Sequence, residues 1–76
     1  MSSNDGRKGI IISINGPILK VTGFKNHAIG DMVEIGSKLR LIGEIIKLDR
    51  EYSVIQCFEE TYELELNDTV IDLGYP

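Results

Sequence analysis

Two strand-forming runs joined by three charged residues decide the fold class of this chain. Leu41 to Leu48 is rich in Ile and Leu, and Ser53 to Phe58 mixes β-branched and aromatic residues. Both compositions suit a pleated, half-buried surface. Asp49, Arg50 and Glu51 lie between the runs and are polar enough to reverse the chain in water. Gly43 interrupts the first run, where a glycine usually marks a bulge or a tight bend. A lone hairpin is marginal in water, so the flanking segments must cover its apolar face.

Those flanks read as further short strands. Lys8 to Asn15 places Ile10, Ile12 and Ile14 on one face, with Ile11 on the other. Asn15-Gly16-Pro17 is a sharp turn, because proline fixes its own φ and biases Gly16 away from helix. Ile18 to Thr22 follows, with Leu19 and Val21 opposite Ile18 and Lys20. Gly23 to Gly30 is a loop holding Phe24 and His27, and Met32 to Ile35 alternates again before a turn at Gly36-Ser37-Lys38. Glu59 to Asn67 is acidic and turn-like, with Leu64 and Leu66 expected to pin it to the core, and Thr69 to Leu73 closes the series. Six short strands with frequent turns indicate an all-β barrel or sandwich. The links are too short for crossover helices, which favours antiparallel pairing, and closure removes exposed strand edges. The first seven residues, MSSNDGR, are small and polar and are expected to form a disordered tail (1–7) ahead of the folded domain (8–76).

A chain of 76 residues is one small domain, burying only about 60% of the surface its unfolded form exposes. The single Cys57 excludes an internal disulfide framework, and no Cys/His spacing suggests zinc. Apolar runs such as Ile10-Ile11-Ile12 fall far short of the roughly 20 residues that span a bilayer. Without a secretory pattern at the start, the chain reads as cytoplasmic. Charge is uneven. Residues 1–50 hold all 8 Lys and Arg, whereas 51–76 hold acids and no base. A net charge of −4 without a basic cluster repels phosphate backbones and argues against nucleic acid.

Chemistry-bearing motifs are missing. There is neither a GxxxxGK[ST] loop nor a GxGxxG fingerprint. Cys57 reads as buried core, His27 as a loop residue, and Glu59-Glu60 as a solvated turn whose neighbours point apart on an extended chain. The five aromatics are scattered rather than interleaved with bases, unlike a single-strand-binding barrel. No catalytic, cofactor-binding or metal residue is assigned.

Three stretches stand in order: Gly9-Ile10-Ile11-Ile12-Ser13-Ile14-Asn15-Gly16-Pro17, then Leu41-Ile42-Gly43-Glu44-Ile45-Ile46-Lys47-Leu48, then Ile55-Gln56-Cys57-Phe58-Glu59-Glu60-Thr61. Together they resemble the N-terminal domain of the catalytic A subunit (alpha chain) of A/V-type ATPases. Gly43-Glu44-Ile45-Ile46 and Glu59-Glu60-Thr61 look more like that subunit than like the noncatalytic B subunit. Where the family usually has Ser-Gly-Leu and then Gly-Asp-Pro-Val, this chain has Tyr62-Glu63-Leu64 and Asn67-Asp68-Thr69-Val70. That difference leaves the turn geometry open.

The resemblance implies a six-stranded closed antiparallel barrel, cut from a longer subunit. Such barrels form a crown of alternating A and B subunits in an enzyme coupling ATP hydrolysis or synthesis to proton or sodium-ion transport. ATP and Mg would be cofactors of the parent subunit, held by residues beyond this stretch and not by any residue here. Implied partners are the A and B subunits of the head ring and stator stalk subunits. Implied location is the cytoplasmic head, peripheral to the membrane, without direct membrane insertion. The isolated domain is expected to be a monomer. A free-standing OB-like or SH3-like binding module without catalysis is the alternative.

Overall fold

The computed structural model describes residues 6–76. Among these there are six strands and no helix: β1 (Lys8–Asn15), β2 (Ile18–Thr22), β3 (Met32–Ile35), β4 (Leu41–Leu48), β5 (Ser53–Cys57) and β6 (Thr69–Asp72). They close into a barrel in the order β1-β2-β5-β4-β3-β6, every pair antiparallel. The central hairpin is β4–β5, with Gly43 opposite Cys57 and Leu48 opposite Ser53.

The barrel has two distinct ends. The far end holds the Asn15-Gly16-Pro17 turn, the Gly36–Arg40 turn and the Phe58–Asp68 connection. The termini end holds the Gly23–Asp31 loop, the Asp49–Tyr52 turn and both described chain ends. There the Asp72 N–H donates to the Arg7 carbonyl at 2.8 Å, and the Met32 N–H to the Tyr75 carbonyl at 2.7 Å. The first five residues of the expected tail lie outside the described ones. Its last two are tied down, since the Gly6 carbonyl accepts from the N–H groups of both Lys25 and Asn26.

The interior is packed with Ile11, Leu19, Val21, Val33, Ile35, Ile45, Ile55, Cys57 and Val70, and Leu64 plugs the far end. Fully burying each Ile or Leu here is worth roughly 1.5–3 kcal/mol, the main driving force for so small a core.

Two expectations about this core need correction. Ile14 does not share a face with Ile10 and Ile12. Ile10 and Ile12 are exposed, while Ile11 is buried. The register steps from Ile11↔Val21 to Ser13↔Lys20, so Ile12 is the extra residue of a bulge. A bulge flips the inside-outside phase of everything beyond it. Ile11 and Ile14, three residues apart, therefore pack on the same core, Ile14 partly buried. Nor is Gly43 a bulge residue: it pairs regularly and is not among the residues with positive φ. The β4 bulge lies between Ile45 and Lys47, at the exposed Ile46. Both bulges fall in the two eight-residue strands, where added bend and twist help a narrow barrel close.

Candidate functional site

The far end is where this chain presents an organised surface. Phe58 to Asp68 spans from β5 to β6 and is held from inside at two points. Thr61 is buried and its hydroxyl donates to the Gly16 carbonyl at 2.7 Å, while Leu64 enters the core against Gly36. Between these pins Tyr62 turns outward and is 82% exposed, and Phe58, ahead of Thr61, is 55% exposed. The Glu59 carboxylate accepts from the Ile42 N–H at 2.9 Å, and the Phe58 N–H donates to the Ile42 carbonyl at 2.9 Å, fastening the segment to β4.

Further along, Asn67 adopts a left-handed φ of 76°. Asparagine tolerates that region better than other non-glycine residues. This answers the open question about the missing glycine, since Asn67 occupies the first position of the stretch that is usually Gly-Asp-Pro-Val. The Asp68 carboxylate then accepts from the Glu65 N–H at 3.0 Å. Leu66, expected to pin this segment, is 56% exposed, so of the two leucines only Leu64 serves that purpose.

An open groove of about 930 Å³ runs along this end, with Pro17, Leu41, Cys57 and Phe58 as its apolar wall and Glu59, Glu60 and Glu63 around it. No Lys or Arg lines it. Tyr62 and Glu63 form a ridge shared with a smaller groove of about 550 Å³ that Lys38 and Leu39 border. The uneven charge of the sequence thus survives folding as a surface. Glu51 and Asp72 are the exceptions, both at the opposite end of the barrel, Glu51 exposed in the Asp49–Tyr52 turn and Asp72 buried.

Cys57 forms part of the groove floor yet is buried, and burial pushes its thiol above the ordinary value. A thiol held in that state is a poor nucleophile. We expect an aromatic disulfide reagent to label Cys57 at least about tenfold more slowly in the folded chain than in denaturant. Equal rates would place the sulfur in solvent.

At the termini end, burial pushes the Asp72 carboxyl above the usual aspartate range. The Gly74 N–H, donating to it at 2.9 Å, pulls it back, and a hydrogen bond and charge from Asp31 push it up again, with Arg7 opposing. A raised folded pKa means that the folded state holds this proton more tightly than the unfolded chain. The associated stability is full below the ordinary aspartate value of 3.8 and is lost as pH rises through the folded pKa. Asp72→Asn keeps the acceptor for Gly74 and removes that loss. Its thermal midpoint is expected above that of the parent at about pH 7 and level with it at about pH 3. A midpoint lowered at about pH 7 but not at about pH 3 would mean that the Asp72 charge is needed, as a partner for Arg7.

The remaining candidates do not converge. His27 stacks at 5.5 Å on Phe24, and its Nδ1 is buried without a hydrogen-bond partner. It lies at the termini end, with the barrel between it and Cys57. Glu59 and Glu60 are both exposed, and Glu59 differs in accepting the Ile42 N–H. Lys20 sits 4.9 Å over the Tyr52 ring, bracing the β4–β5 turn. Among the described residues no three His, Cys, Asp or Glu side chains come together to hold a metal ion. No helix there is long and apolar enough to cross a membrane. Sequence reading missed the groove, because its walls come from three segments that only the barrel brings together.

Comparison with known proteins gives a consistent result. The sequence pattern of the ATP synthase alpha/beta family, beta-barrel domain, matches residues 11–74. The chain is 39% identical over 72 residues to V-type ATP synthase alpha chain 2 of Clostridium tetani, covering 95% of this chain and 12% of that protein. It is 39% identical over 70 residues to the V-type ATP synthase alpha chain of Halothermothrix orenii, covering 92% and 12%. It is 37% identical over 71 residues to the A subunit of the A-type ATP synthase of Staphylothermus marinus, covering 93% and 12%. The chain therefore spans only 12% of the length of these relatives.

Proposed function

The chain belongs to the ATP synthase alpha/beta family, within its beta-barrel domain, and from that membership we propose its role. It is the N-terminal structural barrel of the catalytic A subunit of an A/V-type rotary ATPase. It helps to assemble the alternating A/B ring of an enzyme that couples ATP hydrolysis or synthesis to proton or sodium-ion transport. The observation that carries this reading is the match to A-type and V-type relatives over 92–95% of the chain.

The filled interior supports a role in assembly rather than in chemistry. It is packed with aliphatic side chains, so what the barrel offers a partner is its outer surface. Nucleotide and Mg belong to other parts of the A subunit, and none of Lys8 to Pro76 is assigned to them. Partners are the neighbouring A and B subunits and the stator stalk, on the cytoplasmic head of the enzyme.

Lateral contacts in a ring of alternating subunits are heterologous, and such patches do not close a homodimer. A barrel this small also offers less than about 1,200 Å² for each contact, the low end for stable complexes. Sedimentation equilibrium is expected to show a monomer at micromolar concentration that associates weakly with the B-subunit barrel. A tight homodimer that ignores salt would count against the ring. The reading frame beyond Pro76 separates the alternatives. A GxxxxGK[ST] loop further on supports the catalytic subunit, and a stop codon there favours an OB-like or SH3-like binding module.

A further inference from the structure

The far-end groove has the makings of a recognition site, and three observations say for what. Its wall carries two exposed aromatics, Phe58 and Tyr62, beside Pro17 and Leu41. Aromatic side chains in such positions dominate binding energies, because they offer much apolar area for few rotatable bonds. The backbone under them is fixed by the Thr61, Leu64 and Glu59 anchors, so little ordering cost remains when a partner arrives. Its charge is of one sign, with Glu59, Glu60 and Glu63 in the lining and no base among them.

Position adds a fourth. Both described chain ends leave the barrel at the opposite end, where Arg7 pairs with Asp72 and Tyr75 with Met32. Any chain joined to either of them starts away from this groove.

We propose that the far end docks a basic peptide segment of a partner protein, seating one large apolar or aromatic side chain between Pro17, Leu41, Phe58 and Tyr62. Lysine or arginine residues flanking that anchor meet Glu60 and Glu63. Glu59 shares its carboxylate with the Ile42 N–H and serves mainly to hold the wall. The site stands on the groove itself and does not depend on membership of a ring.

The test uses the 76-residue chain and a synthetic peptide of Lys and Arg around one central Trp, followed by backbone amide NMR. Amide shifts are expected to cluster at Gly16, Leu41 and Phe58 to Glu63, with the termini end unchanged. Replacing the Trp by Gly, or the bases by Gln, is expected to weaken binding about tenfold each. Raising salt from about 50 to about 500 mM is expected to weaken it by a similar factor. Tyr62→Ala, and separately Glu60→Gln with Glu63→Gln, are expected to do the same while leaving the rest of the spectrum in place. All three side chains are exposed, and the glutamine pair keeps the test open should Tyr62→Ala disturb the turn.

Shifts scattered over the whole surface, or equal binding by the Gly-for-Trp peptide, would reduce the groove to a diffuse acidic field. Equal binding by the Gln-for-base peptide would remove the charge from recognition. The same amides shifting on simple concentration, with mass doubling in the ultracentrifuge, would make the occupant a second copy of this chain. Each of these results overturns the proposal.

Discussion

Replacing Gly43 with alanine will lower the thermal midpoint by roughly 5–20 °C, and valine there will leave little folded population at room temperature. Gly43 faces the interior of the barrel between Val33 and Cys57. A Cβ added there would lie 2.7 Å from the Gln56 carbonyl oxygen, 2.9 Å from Ile35 Cδ1 and 3.1 Å from Ile55 Cγ2. The first of these is backbone in the adjacent strand, which cannot swing aside as a side-chain tip can. Forcing extra atoms into a packed core costs about 1–3 kcal/mol, and two branched methyls beyond the Cβ raise that further. A domain of this size has only about 4–11 kcal/mol in total, and each kcal/mol moves the midpoint by about 4–8 °C. Differential scanning calorimetry of the alanine variant decides it. A midpoint within about 2 °C of the parent would mean that β4 and β5 separate at little cost.

The second large effect is a contrast between neighbours. Ile11→Ala will cost about 2–5 kcal/mol, and Ile12→Ala about 0.5 kcal/mol or less. The two residues are chemically identical and adjacent, but Ile11 is fully buried whereas Ile12 is 47% exposed at the bulge. Urea titration of both variants gives the comparison directly. Equal losses would mean that the bulge lies elsewhere and that Ile12 is part of the core after all.

These two positions also show what the sequence could and could not reveal. The bounds of β1, β2, β3 and β4 are legible from local alternation and from the punctuation at Gly16-Pro17 and Gly36. The ends of β5 and β6 fall one residue inside the expected runs. Local signals fix where a strand exists. Its phase after a bulge depends on how many residues the partner offers opposite it, and Lys20 and Val21 are not adjacent to Ile12 in sequence. Three consecutive isoleucines therefore left the inward one undecided. Gly43 misled for a related reason. Glycine serves either a special φ or a close approach, and only the position of the Gln56 carbonyl separates the two. The far-end groove needed Pro17, Leu41 and Phe58 side by side, a juxtaposition set by the barrel order and not by any local pattern.

The first strand of this barrel is completed by the last. Lys8 pairs with Ile71 and Ile10 with Thr69, and β6 on its other side pairs with β3. During synthesis at about 5–20 residues per second, β1 therefore leaves the ribosome roughly 3–13 s before its closing partner. The β1–β2 hairpin can form in that interval, but the outer edge of β1 stays open, with three successive isoleucines beside it. An open, apolar, β-prone edge is a template for pairing with another nascent chain. A chain cut short before Thr69 would keep two such edges permanently, on β1 and on β3, and is expected to collect in inclusion bodies rather than to form a smaller barrel.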